Sequence, residues 1–302
     1  MTTSQHLLRS RSRPLDAGAS ALIVLMCLLW GLNQVAIKFS LPDVPPFMQA
    51  VVRSFGGLLM VLAWVRWRGI ILTSRDGTLI PGILAGLLFG LEFLLIYGGL
   101  RFTTASRASL FLYTAPFFVA LGGRWLLPGD WFGPAQWGGL TLCFAGLAVA
   151  IGVPQANVEA RTLVGDLMLI GAGASWGATT LLIKATRLNH IVPEKTLVYQ
   201  LVVSVPVLAA AAALFQERIV AVPNATAMAW LAYQVVVVGL TFPFWFMLIQ
   251  RFSATRVSAF TFLTPLFGVA AGCLLLHEPF TFSFGVAVAL VIVGLVLVNR
   301  PR

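Results

Sequence analysis

The sequence predicts an all-α integral membrane protein of ten transmembrane helices, arranged as two five-helix repeats of inverted topology. Three observations predict it. Hydrophobic residues make up 59% of the 302 residues and charged residues 10%, against about 25% charged in a water-soluble domain, and mean hydropathy is +0.93. The apolar residues fall in runs of about 20, the length that crosses a hydrocarbon core at ~1.5 Å per residue. The chain also repeats itself. Trp30-Gly31, six residues and Lys38 return as Trp176-Gly177, six residues and Lys184, while Arg107, Ser109 and Pro116 return as Arg256, Ser258 and Pro265. An Arg-Phe pair precedes each of the latter groups, Arg101-Phe102 and Arg251-Phe252.

Charge, Pro and Gly punctuate the apolar runs and place the first repeat, residues 1–154, in spans 19–39, 45–64, 79–100, 105–123 and 135–153. The second repeat, residues 155–302, has spans 163–183, 196–215, 227–249, 257–276 and 280–298. The first span follows Arg9, Arg11 and Arg13, a start that resembles a signal peptide, but it is long enough to cross and lacks a small-residue cleavage site. It is read as a retained helix. The first and sixth spans carry Cys27/Gly31 and Gly173/Gly177, and the third carries Gly82, Gly86 and Gly90. Small residues one turn apart let helices approach closely, so these read as packing faces. The fifth and tenth spans are nearly devoid of polar groups and read as peripheral scaffold.

The net charge of +10 has no continuous basic face that would suit nucleic acid, and it reads as topology. With the N-terminus inside, fourteen basic residues fall in cytoplasmic segments: Arg9, Arg11, Arg13, Arg66, Arg68, Arg75, Arg124, Lys184, Arg187, Lys195, Arg251, Arg256, Arg300 and Arg302. Five fall outside: Lys38, Arg101, Arg107, Arg161 and Arg218. That bias puts both termini in the cytoplasm. Five helices per repeat then force the second copy to enter from the opposite side, as in secondary transporters that alternate access around a central site. A duplication kept only for packing is the competing reading.

Cys27, Cys143 and Cys273 sit singly inside apolar runs, and His6, His190 and His277 never cluster with them or with carboxylates. No metal site and no cofactor are expected. There is no Walker A sequence, no HExxH and no GxSxG, so neither ATP-driven pumping nor a familiar hydrolase chemistry is expected.

Candidate binding residues lie at mid-depth. Trp30 and Asn33 align with Trp176 and Thr179 through the repeat. Polar groups there need partners that hydrocarbon does not offer, either a neighbouring helix or a substrate. Glu92 lies within an apolar run at ~10 Å depth, and Arg53 enters on the preceding span to ~12 Å. Three roles compete for Glu92: an ion pair with Arg53, a counter-ion for a substrate ammonium, or a proton-coupling carboxylate. Pro116 and Pro265 fall inside the fourth and ninth spans and predict kinks with a gating role, with Tyr113 one turn before Pro116. In Phe242-Pro243-Phe244-Trp245-Phe246, helical spacing puts Phe242 and Trp245 on one face, which either meets lipid or lines an aromatic pocket.

These repeats, together with Glu278-Pro279 after the ninth span and Arg53 in the second, resemble the EamA family of the drug/metabolite transporter superfamily over nearly the whole chain. The first repeat departs from that pattern at Pro128-Gly129-Asp130. Among such proteins the chain looks most like the YddG-type aromatic amino acid exporters. The resemblance implies a bacterial inner-membrane exporter of amino acids, working by alternating access, with a small-molecule substrate, the lipid bilayer and protons as candidate partners. Its cavity would lie between the first, third, fourth, sixth, eighth and ninth spans. The rivals are a broad exporter of organic cations or other metabolites and, from another class, a non-transporting receptor, scaffold or lipid enzyme.

Overall fold

A computed structural model describes residues 15–73, 76–152, 159–275 and 282–300. The arginines at 9, 11, 13, 75 and 302, His6, His277 and the Glu278-Pro279 pair lie outside the described residues. The helices are α1 (Ala17–Ser40), α2 (Pro46–Arg68), α3 (Leu79–Gly99), α4 (Ala105–Leu112), α5 (Ala115–Leu126), α6 (Pro134–Ile151), α7 (Ala160–Ala185), α8 (Pro193–Leu214), α9 (Ala225–Arg251), α10 (Ala254–Ala259), α11 (Leu263–Leu275) and α12 (Phe282–Asn299). Short 3₁₀ turns occupy Arg187–His190 and Phe260–Phe262.

Local chemistry sets the ends. The Asp16 carboxylate accepts the Ala19 N–H at 2.7 Å and starts α1, and Asn224 Oδ1 does the same for Ala227 at 2.9 Å in α9. Pro46, Pro134 and Pro193 sit in the first turns of α2, α6 and α8, where a missing N–H costs nothing. Gly69, with φ of 64°, ends α2 in the left-handed conformation that glycine adopts without penalty.

Nine segments of the described chain are long and apolar enough to cross a membrane, with α10 to α11 counting as one. The fourth expected span is the exception. It divides at Tyr113–Thr114 into the 8-residue α4 and the 12-residue α5. The expected mid-helix prolines are corrected accordingly: Pro116 lies in the first turn of α5, and Pro265 in the first turn of α11. Neither proline has an N–H to donate four residues back, so the helix stops before it and restarts around it. Threonines absorb part of the loss. Thr114 Oγ1 donates to the Phe111 carbonyl at 2.6 Å, and Thr261 Oγ1 donates to that of Ser258 at 2.7 Å, keeping broken backbone tolerable inside protein.

The packing is reciprocal. α1 lies on α9 and α11, and α7 lies on α3, α4 and α5. α3 lies on α8 as α9 lies on α2, while α2 pairs with α8 and α6 with α12. Exchanging first-half for second-half segments maps this set onto itself. Glycines make the close approaches: Gly82, Gly86 and Gly90 of α3 face Tyr199, Val203 and Val207 of α8.

Gly139 and Gly294 bring α6 and α12 together so tightly that a Cβ on Gly139 would stand 2.6 Å from the Gly294 carbonyl oxygen. Neighbouring Gly138 has nothing within 4 Å of such a Cβ. Gly139→Leu should therefore cost about 1–3 kcal/mol through overpacking, lowering the thermal unfolding midpoint in detergent by several degrees. Gly138→Leu should leave the midpoint within a degree or so of the parent. Equal effects at the two positions would refute glycine-mediated packing here.

Candidate functional site

Two glycines seat the repeated tryptophans. A Cβ on Gly31 would stand 2.7 Å from the Thr264 carbonyl oxygen, the Gly268 nitrogen and Phe267 Cβ. A Cβ on Gly177 would meet Phe118 Cβ at 2.8 Å and the Ala115 carbonyl at 3.3 Å. So α1 presses its backbone onto α11, and α7 presses onto α5, at matching places in the two halves. Beside Gly177, Trp176 projects to the break in the facing helix at Tyr113, whereas Trp30, beside Gly31, projects to α9.

Trp30 is partly buried and held by α9. Its Nε1 donates to Thr241 Oγ1 at 2.8 Å, and its ring centroid lies 5.8 Å from Phe242 and 5.2 Å from Trp245. Trp245 is buried at 3% exposure while Phe244 is exposed, so the aromatic face of α9 turns inward. The rings continue from Phe242 to Phe89 at 5.7 Å, and from Phe89 to Phe93 at 5.0 Å.

Trp176 meets a different partner, Tyr113, edge to face at 5.8 Å. Tyr113 is buried, lies beside Thr264 of α11, and is within electrostatic reach of Cys27 on α1 and Glu92 on α3. Trp176 and Thr180 also lie with Pro116, Val119, Ser258 and Thr261 around a crevice too narrow to hold a water molecule. Thr179, the expected binding residue, turns its hydroxyl to the Ser175 carbonyl of its own helix at 2.9 Å; the neighbouring Thr180 takes the inward place. Asn33 Oδ1 and Ser258 Oγ are buried without hydrogen-bond partners among the described residues.

Glu92 and Arg53 are both buried, at 8% and 5% exposure. They do not form the expected contact: among the described residues the ion pairs are Arg107–Asp166 and Lys195–Asp76. The Arg53 guanidinium instead lies 3.9 Å above the Phe93 ring. The expected pair rested on matching depth, and Arg53 is near enough to act on the Glu92 carboxylate through space without an ion-pair contact among the described residues.

The bundle is tied differently at its two ends. Where α5 stops and α10 begins, Asp130 accepts from the Ala254 N–H at 2.8 Å, from Thr255 Oγ1 at 2.6 Å and from Ser253 Oγ. At the same end Lys184 Nζ donates to the Gln250 and Phe252 carbonyls at 2.8 and 3.0 Å, matching its charge to the negative end of α9. The exposed tryptophans 64, 67, 125 and 131 also gather there, as at a membrane–water interface. At the opposite end α4 is drawn to α7 instead: Asp166 accepts from Thr103 Oγ1 at 2.8 Å and from the Arg107 guanidinium, with Nε at 3.0 Å. Sequence reasoning missed Asp130 and Asp166 as anchors. Asp166 carries the signal that marked Glu92, a carboxylate bordering an apolar run, whereas nothing local to Asp130 announces its partners.

A multi-pass helical membrane protein with aromatic and unpartnered polar side chains gathered at the crossing of its halves is built as a carrier of small molecules. The chain belongs to the EamA-like transporter family, whose model matches residues 18–152 and again 163–300. It is 26% identical over 90% of its length to the uncharacterised transporter YoaV of Bacillus subtilis, covering 94% of that protein. It is also 26% identical to a probable amino-acid metabolite efflux pump of Escherichia coli, covering 91% of this chain and 92% of the relative. A solved crystal structure superposes with a TM-score of 0.81 over 96% of this chain and 98% of the other at 20% identity, which shows a shared fold. The family and both of these relatives are described as transporters or efflux pumps.

The Trp30–Thr241 bond ties the α1 ring to α9. A double-mutant cycle of Trp30→Phe and Thr241→Val, read by unfolding in mixed micelles, should give a coupling of about 0.5–1.5 kcal/mol. Additive effects would mean the bond contributes nothing.

Proposed function

We propose that the protein is a secondary transporter exporting amino acids, those with aromatic or large apolar side chains, across the bacterial inner membrane by alternating access. The observation that carries this reading is the aromatic lining around Trp30, Phe242 and Trp245 on one side and Trp176 with Tyr113 on the other. Tyr113 is within electrostatic reach of Glu92, and Asn33, on the same helix as Trp30, has a buried oxygen without a hydrogen-bond partner among the described residues. Apolar walls with a few polar groups suit a zwitterion that carries a hydrophobic side chain. The relatives named as amino-acid metabolite efflux pumps point the same way.

The two halves are proposed as inverted five-helix repeats, residues 1–154 and 155–302. The reciprocal packing of their segments supports this. Both termini lie in the cytoplasm, at the end that gathers the arginines and the exposed tryptophans. That end is the one where α5 and α10 are tied through Asp130, so the arrangement corresponds to an inward-closed state. The helix breaks before Pro116 and Pro265 are the hinges about which this closure is undone. Protons are the candidate coupling ion, with Glu92 as the group that would carry them. One observation favours a second reading: the buried Glu92 carboxylate has no ion-pair partner among the described residues, which suits an organic cation.

Proteoliposomes containing the purified protein should show saturable counterflow of labelled phenylalanine and tryptophan, each inhibiting the other, with alanine moved more slowly. Counterflow of organic cations without amino acid flux would replace this reading with the second. Asp130→Ala removes three hydrogen bonds to a charged group, worth ~1.5–3 kcal/mol each before compensation. It should therefore increase labelling of a Ser258→Cys probe by an impermeant thiol reagent applied from the cytoplasmic face. Unchanged labelling would exclude Asp130 as the closing contact.

A further inference from the structure

We infer that Arg53 is the anchor for a carboxylate of the transported molecule, held side-on by the Nε and Nη2 edge of its guanidinium. The inference deepens the exporter reading and rests on it for the word "transported". Arg53 lies within α2 at 5% exposure. A charged side chain at such a place ordinarily finds a partner, because insertion alone costs ~2.5–3.5 kcal/mol. Here the partner is incomplete. The guanidinium carbon lies 3.9 Å over the Phe93 ring, an attraction to the ring face that supplies no hydrogen-bond acceptor oxygen.

Among the described residues Nε and Nη2 are both buried without a hydrogen-bond partner. They are adjacent on one edge, with parallel N–H bonds, the fork that matches the two oxygens of a carboxylate. Glu92, the residue before Phe93, does not fill it, since the ion pairs among the described residues lie elsewhere.

The surroundings define the class of ligand. From Phe93 the rings run through Phe89 and Phe242 to Trp30, with centroid steps of 5.0, 5.7 and 5.8 Å. A molecule anchored at Arg53 by a carboxylate therefore lays an apolar or aromatic body along this ladder. Counted from the prolines that open α2 and α8, Pro46 and Pro193, the second-half counterpart of Arg53 is Gln200, itself buried with both amide atoms unpartnered. The cation is present in one half only, so one singly charged group is accommodated. The ligand class is an α-amino acid or another monocarboxylate. Dianionic phosphates and carboxylate-free amines fall outside it.

The test uses the purified full-length chain and three ligands of like size: phenylalanine, phenylpropionate, which lacks the ammonium, and phenethylamine, which lacks the carboxylate. Binding is read by ligand-induced thermal shift and by calorimetry. The expected order places both carboxylates at least about tenfold tighter than the amine. Arg53→Gln should weaken both carboxylates by about 10- to 100-fold and leave the amine unchanged or tighter. Arg53→Lys, which keeps the charge without the fork, should fall between.

Arg53→Gln that retains the carboxylate preference overturns the inference. If that variant fails to fold, the parent decides: phenethylamine binding as tightly as phenylpropionate overturns it too. The exporter reading fails separately. A parent that binds phenylpropionate through Arg53 but moves no amino acid in proteoliposomes leaves the anchor standing and removes the transport claim. Amino acid flux with no dependence of binding on Arg53 does the reverse.

Discussion

Everything central to this bundle depends on backbone meeting backbone at Gly31 and Gly177. In each half the first helix lies so close to the restarted segment of the other half's broken helix that no side chain fits between them. Dispersion acts over a few tenths of an ångström, so this contact fixes depth and rotation together. It also accounts for the repeated Trp-Gly pair. The glycine makes the approach, and the tryptophan beside it is turned to a neighbouring ring: Trp176 to Tyr113 at the break, Trp30 to Trp245 of α9. One variation shows how fine the fit is. The first half has Cys27 where the second has Gly173, and the thiol reaches the Phe260 carbonyl at 3.4 Å. Gly173 instead lies against Leu112 and Thr114. The 3₁₀ turn at Phe260–Phe262 leaves room for a small side chain that the sharper break at Tyr113–Thr114 does not.

A broken helix inside a membrane exposes backbone groups that lipid cannot satisfy. The structure meets this in two ways: threonine hydroxyls return to nearby carbonyls within each break, and carboxylates anchor the segment starts. Asp130 reaches the start of α10 from the loop before α6, and Asp166 reaches Arg107 near the start of α4 from α7. These anchors are not equivalent under exchange of the halves. One ties the two broken helices to each other, and the other ties a broken helix to its neighbour. The end contacts therefore differ between the halves where the packing of their segments is close to reciprocal.

Hydropathy and repetition made much of the fold legible. The apolar runs place the helices within a few residues, because crossing length is dictated by the bilayer, and the Trp-Gly and Arg-x-Ser spacings place the duplication. The fourth span was misjudged because hydropathy is blind to backbone continuity: residues 105–123 are as apolar broken as whole. Pro116 announced a disturbance but not its location, since proline disrupts the turn before it and settles into the turn after. At the site, depth was readable and rotation was not. Trp30, Trp245, Trp176 and Tyr113 fall into two contacting pairs that depth alone permits. Thr179 and Thr180 differ by about 100° around α7, and that angle decides which of them faces the crevice.

The same uncertainty in rotation bears on Arg53 and Glu92, and its resolution is chemically informative. Two opposite charges at one depth on adjacent helices would ordinarily close on each other, because a closed pair offsets part of the desolvation that each suffers alone. A bundle evolved only for stability would have little reason to keep them apart, and replacing both with apolar residues would serve it as well. Keeping a guanidinium edge and a carboxylate buried and unjoined is costly, and it is the arrangement expected where a zwitterionic ligand supplies the missing carboxylate and ammonium.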